Sequence, residues 1–345
     1  MTWLTWRQYR LQAAIAALVL AVFAAVMLVT GFQMAAQWHT ILASCTASGT
    51  CGNLQEGGSP LGSVLGHDFA ILSLMAPAVF GMLVGAPLLA WEYETRTFDF
   101  AWAQSVTRTR WLLVKVGWAL LAAAVWGGVL AELVTWWSGP RNAAFQNWFQ
   151  SNYFDQQGIV PIAYSVFATA LGIAAGAVLR RTLPAVAIVV GGFIGLRLWT
   201  SQDLRLHYMT PVTTSHSMTG NFNPPAGSPQ VGAGLTGPNG LVLAQNFNTG
   251  NTFNGVPISS LPRACQAVAS KASDLTQASN SAQNAANSAQ NAANQCLGRA
   301  GYHNFLTYQP ASRYWAFQGI ETGIFLAVAL LLLAVTFYVV RLRDA

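Results

Sequence analysis

The chain has 345 residues, of which 53% are hydrophobic and only 8% charged, with 13 Trp, 18 Phe and a net charge of +6. A soluble domain carries about 25% charged residues, so an ordinary cytosolic enzyme is excluded. Disorder of the bulk is excluded too, because it needs charge and few aromatics.

In chain order, six apolar runs approach the roughly 20 residues that a membrane-crossing helix requires. They cover about 11–32, 69–91, 111–137, 159–179, 184–200 and 315–340. The first is too long for a cleavable signal peptide, and no small-residue cleavage site follows it closely. The moderate mean hydropathy of +0.40 requires a sizeable polar part, and residues 201–313 supply it. The predicted fold class is therefore an all-α polytopic membrane protein with six transmembrane helices. It divides into 1–200 (helices one to five), 201–313 (a polar region) and 314–345 (helix six and a tail).

Basic residues in short loops set orientation. Ten of the 17 gather on one side: Arg7, Arg10, Arg96, Arg108, Arg110, Lys115, Arg180, Arg181, Arg341 and Arg343. The short loops of the other side hold only Arg141. Both termini are predicted to be cytoplasmic, in a cell (plasma) membrane, with 201–313 extracellular. The net charge expresses this membrane bias. No basic cluster with interleaved aromatics points to nucleic acid.

Cys45, Cys51, Cys265 and Cys296 all fall on the predicted outer side, where disulfides persist. A Cys45–Cys51 bond would close a short loop. Metal binding is the rival, and no C-x-x-C spacing supports it. The five histidines are scattered. Within the polar region, the first half is rich in Gly, Pro, Asn, Ser and Thr and reads as turns and irregular structure. The second half reads as helix. SAQNAAN at 281–287 repeats at 288–294, and Ala282, Ala285, Ala289 and Ala292 give a narrow apolar seam. One continuous helix would hold Cys265 and Cys296 about 46 Å apart, whereas a disulfide needs Cα atoms within about 7 Å. A helical hairpin over about 262–298, clamped by Cys265 and Cys296, is predicted. A flexible linker with free or intermolecular thiols is the alternative.

Besides Lys115, just inside the third run, three ionisable residues stand out toward the predicted outer halves of the runs: Glu132, Arg197 and Glu321. Buried charge in a membrane marks function by default. Pairing of Glu132 or Glu321 with Arg197 is the structural reading; a substrate or proton role and simple proximity to outer water are the alternatives. The G-x-x-x-G pairs at Gly81 and Gly85, Gly172 and Gly176, and Gly191 and Gly195 suit close helix packing.

The longest cytoplasmic loop, within 92–110, places Phe98, Ala101, Trp102 and Ser105 at helical spacing. Glu94 and Asp99 stand early, and Arg108 and Arg110 late, which suits the helix dipole. An amphipathic helix follows, lying on the membrane or pressed into a partner. Glu94 and Thr97, then Ser105-Val106-Thr107-Arg108, then Lys115, resemble the first cytoplasmic loop of ABC type-2 (ABCG-like) exporter permeases, which reads E-x-G-T, P-V-[ST]-R, K. The lysine-poor variant here is similar to the actinobacterial branch. Arg96 replaces the usual Gly, and Ser105 the common Pro. Residues 3–10 resemble the family's in-plane connecting helix, and 302–317 its re-entrant stretch before helix six.

The resemblance implies a coupling helix that docks on an ATP-binding subunit, with Glu94, Thr97, Phe98, Asp99, Trp102, Ser105 and Arg108 at the contact. It also implies a second permease copy as partner, and a path lined from helices one, two and five. Phe23, Phe32, Met75, Phe80 and Phe193 are then wall candidates, with lipid-facing or core packing as the alternative. No G-x-x-x-x-G-K-[ST] phosphate loop occurs, and neither G-x-S-x-G nor H-E-x-x-H does. The chain is thus expected to be a non-catalytic permease of an exporter for an amphipathic or hydrophobic drug, antibiotic or peptide. ATP and Mg²⁺ would sit on the partner ATPase, present in two copies. The alternative is a non-transporting sensor or scaffold whose extracellular hairpin binds a partner and is moved by the ATPase.

Overall fold

The computed structural model describes residues 10, 14–32, 35–36, 71–95, 107–145, 149, 151–218, 228, 230–238, 242–244, 252–253, 256–277 and 283–343. The chain forms two compact units, one of residues 1–208 and 314–345 and one of Met209–Arg313.

Among the described residues of the first unit, six helices are long and apolar enough to cross a membrane. They are α1 (Ala14–Phe32), α2 (Ile71–Thr95), α3 (Arg108–Phe145), α4 (Val160–Leu179), α5 (Thr182–Leu204) and α8 (Tyr314–Arg343). α4 is the centre of this unit. In its most apolar window 72% of residues are buried, against 17% for α1 and 22% each for α5 and the α8 span. α4 is rich in Ala and Gly, which keeps its surface thin and lets neighbours approach.

The glycine pairs of α2 and α4 interlock. A Cβ at Gly85 would lie 2.6 Å from the Thr169 carbonyl, and one at Gly172 2.6 Å from the Ala86 amide. Nothing larger than hydrogen fits, so the two backbones touch and run parallel. Gly81–Gly85 forms a π-helical turn within α2 at this crossing. The third pair behaves differently: Gly191 and Gly195 of α5 have open space beside them.

Apolar clusters complete the unit. Leu88 and Leu89 of α2 pack with Trp111, Leu112 and Val116 of α3, Ile173 and Ala177 of α4, and Val340 of α8. Ala16 and Met27 seat α1 on α3, beside Trp126, Leu130, Val134 and Trp137. Large side chains such as Leu183, Leu330, Leu331 and Val335 point outward. This is the surface expected of a protein whose solvent is lipid.

The second unit corrects the all-α expectation. Strands β1 (Val212–Ser217), β2 (Gln230–Thr236), β3 (Val242–Ala244) and β6 (His303–Tyr308) form an antiparallel sheet in the order β1-β6-β2-β3. Short strands β4 (Thr252–Phe253) and β5 (Val256–Pro257) pair with each other. The polar composition hid the strands. β1 reads Val-Thr-Thr-Ser-His-Ser, and its half-buried and exposed positions alternate. A period of two carried by Thr and Ser gives little hydropathy contrast. The re-entrant stretch expected over 302–317 is instead strand β6, a 3-10 turn at Ala311–Arg313 and the start of α8.

Helices α6 (Arg263–Gln277) and α7 (Gln283–Arg299) form a hairpin. Cys265 and Cys296 are disulfide-bonded, with Cα atoms 5.8 Å apart. Leu235, Phe253, Val256 and Leu261 pack with Cys265, Ala269, Ala272, Ala293 and Leu297 of the hairpin. The seam differs from the expected one. Ala286 and Ala293 are buried and Ala289 partly so, while Ala285 and Ala292 are exposed. The repeat offers two adjacent alanine stripes. The one in line with Leu297 buries the most apolar side chain of α7.

Candidate functional site

Two polar constellations occupy opposite ends of the helical unit. The first lies at the end of α2. Three consecutive residues there reach three different places. The Glu92 carboxylate accepts from Lys115 of α3, and both groups are buried. Lys115 also sits 4.4 Å above the Trp111 ring. The Tyr93 ring carries the Arg180 guanidinium at 4.9 Å. Glu94 Oε1 accepts from the Thr182 amide at 2.8 Å, and its Oε2 from the Thr182 hydroxyl at 3.0 Å.

Local sequence explains the arrangement. Helical geometry turns successive side chains by about 100°, so three neighbours fan out. The turn between α4 and α5 is only Arg180 and Arg181. Arg180 closes α4 with φ 53°, bonding its amide to Gly176. A side chain in that left-handed conformation costs about 1 kcal/mol, and the Tyr93 contact offsets part of it. The Glu94 carboxylate then meets the positive N-terminus of α5, a favourable placement.

The second constellation lies at the other end, in the turn Asp155-Gln156-Gln157-Gly158 that leads into α4. Asp155 receives Arg197 at 2.5 Å and also Arg205, both from the C-terminal end of α5 and the turn after it. Arg205 continues to Glu321 of α8, at 2.7 and 3.0 Å. The Tyr164 hydroxyl of α4 donates to Glu321. Ser73 of α2 donates to Gln156 at 2.6 Å, and Gln157 donates to Ser138 of α3 at 2.7 Å. Gln318 of α8 accepts from the amides of Ile159 and Val160, each at 3.1 Å, and so caps α4. Gly158 has φ 69°, and a Cβ there would lie 2.8 Å from Gln318 Oε1. Phe154, fully buried, lies 4.2 Å beneath Arg205. Tyr208 borders the cluster. Burial and the Glu321 charge push its phenol up, so it stays a donor.

The sequence-derived sites map onto this geometry unevenly. Glu94 stands in the first constellation, while Thr97, Phe98, Asp99, Trp102 and Ser105 lie outside the described residues, as do residues 1–9. Arg108 opens α3. Arg197 and Glu321 belong to one network, yet they do not pair with each other. Asp155 takes Arg197, and Arg205 takes Glu321. Glu132 is exposed on α3, with no ion pair among the described residues. The expected pairing is corrected on both counts, because each charge finds a nearer partner or points away. The wall candidates are not assembled. Phe80 packs on Trp126 and Phe193 on Tyr164 and Phe167, all in the core. Phe32 is exposed against Trp136, and Phe23 and Met75 are half-buried. Cys45 and Cys51 lie outside the described residues.

Sequence reading missed Asp155, Arg205, Gln318 and Glu92. Asp155 stands in a short loop and Arg205 in a long one, where a charge reads as solvated. A signal existed: an acid flanked by Phe154 and two glutamines, four residues before an apolar run.

Residues 17–205 match the family described as ABC-2 membrane transporter related. The match covers more than half of the chain, from α1 to the arginine that closes the second constellation. No curated protein and no solved structure matches.

Proposed function

The chain belongs to the ABC-2 membrane transporter related family, and from that membership we propose that it is the permease subunit of an ATP-driven exporter. Such a permease has no ATPase of its own. A separate ATP-binding subunit hydrolyses Mg·ATP, and two such subunits serve two permease copies. The termini and the loop at 96–106 face the cytoplasm, and Met209–Arg313 faces outward. The collar of ten basic residues supports that orientation.

One observation carries the reading beyond the family. Glu92, Tyr93 and Glu94 lie at the end of α2, from which the expected docking loop departs, and fasten that end to α3, to the α4–α5 turn and to α5. A push on that loop is thereby delivered to several membrane helices together. The cargo in this reading is amphipathic or hydrophobic: a drug, an antibiotic or a peptide.

The test is co-expression of the tagged full chain with P-loop ATPase subunits encoded beside it. Stable co-purification is expected, with an ATP turnover that amphipathic compounds raise. A chain that never retains an ATPase overturns the proposal. A retained ATPase whose turnover no transported compound alters would favour the sensor reading instead.

A further inference from the structure

We infer that Glu94 is the positioning residue through which displacement of the loop at 96–106 reaches α5. This rests on the reading of the chain as the permease of an ATP-driven complex. α5 has no side-chain cap of its own, since Arg181 at its N-cap is extended and makes no capping bond. Glu94, 88 residues earlier, supplies the acceptor to both the amide and the hydroxyl of Thr182. A cap borrowed from another helix joins the two helices as well as stabilising one of them.

Between its ends α5 buries one narrow face, with Ala185 and Val189 against Ala86 of α2 and Ala175 of α4, and Phe193 against Tyr164 and Phe167. Only 22% of its apolar window is buried, and Gly191 and Gly195 meet nothing within 4 Å. Its far end is tied through Arg197 to Asp155. Its described polar ties to other helices stand at its two ends, the contacts between are apolar and non-directional, and its internal hydrogen bonds keep it a stiff rod. The other two contacts at the α2 terminus differ in kind. Glu92 and Lys115 are buried and hold α2 to α3 firmly. The Glu94–Thr182 bonds are exposed, but they are two and directional, and they join the last turn of α2, from which the loop departs, to the first turn of α5. Movement of the loop therefore draws the start of α5 with it, and the rod carries the displacement to Asp155.

Hydrogen exchange followed by mass spectrometry, on the full permease–ATPase complex with and without a non-hydrolysable ATP analogue, reads both ends in one experiment. In the unaltered complex the analogue is expected to change exchange at 96–106 and again around 197–208. Glu94→Ala is expected to keep the first response and lose the second. Thr182→Asp places a carboxylate in the first turn of α5, where it favours the helix dipole, and repels Glu94, so the start of α5 stays stabilised while the link is broken. It is expected to behave like Glu94→Ala. Survival of the 197–208 response in Glu94→Ala overturns the inference. So does its survival in Thr182→Asp alone, which would leave Glu94 as a helix cap and nothing more. Absence of any response at 96–106 in the unaltered complex refutes the permease reading itself, and this inference with it.

Discussion

Asp155 is the residue on which most of the charge at its end of the helical unit depends. It faces two guanidinium groups in a setting with almost no water, and its side chain is fully buried. Removing one partner of a buried pair leaves an uncompensated charge, at a cost of about 3–5 kcal/mol. Asp155→Asn is therefore expected to lower the thermal midpoint of the detergent-solubilised chain severely. Asp155→Asn combined with Arg197→Gln should cost less than the two single changes added together, because the second removes a charge that the first has orphaned. Equal and additive losses would show that the three groups do not act as one network. At this scale the sequence was partly legible. Arg197 and Glu321 were found because a charge inside an apolar run is conspicuous. Asp155 was not, because a carboxylate in a polar turn looks solvated until the turn is known to be buried.

At the scale of elements, the glycine pairs give the sharpest contrast. Three pairs share one spacing, and only two are filled. Gly172→Val places a side chain where the Ala86 amide and the Gly85 carbonyl carbon already lie within 2.8 Å. It is expected to prevent stable folding, seen as loss of monodisperse protein on size-exclusion chromatography. Gly191→Val meets open space and should leave the chain folded. If both variants fold equally well, the α2–α4 crossing is not as tight as described. The helices themselves were legible to within a few residues, except at the end of α3, which runs eight residues past its apolar run, because an apolar run of membrane length has few other readings. The strands were not, because Thr, Ser and Gly carry the alternation in β1 and β2. The hairpin was found from cysteine geometry. Its buried stripe was misplaced, because adjacent alanines made two registers equally apolar, and Leu297, one turn beyond the repeat, decides between them.

At the scale of the molecule, the two units draw stability from different sources. The helical unit relies on packing and buried polar contacts. The Met209–Arg313 unit has a modest apolar core of its own, centred on Leu235, Phe253 and Leu297. A disulfide closing a span of 31 residues supplements that core and contributes about 3–4 kcal/mol. Calorimetry of the full chain is expected to show two transitions, with a reductant lowering only the one assigned to Met209–Arg313. Cys296→Ser should reproduce the reduced trace. A reductant that moves both transitions equally would show one cooperative unit instead of two.

The turn at Asp155-Gln156-Gln157-Gly158 sets a further condition on the chain. Four neighbouring positions serve four neighbours: Asp155 reaches α5, Gln156 α2, Gln157 α3, and Gly158 makes room for Gln318 of α8. Such a segment is guarded in its length more strictly than in its spelling. An exchange at one place disturbs one neighbour. A single residue added or removed rotates every side chain onto the wrong partner, so the turn works like a key whose teeth can be filed singly but whose blade cannot be shifted in the lock.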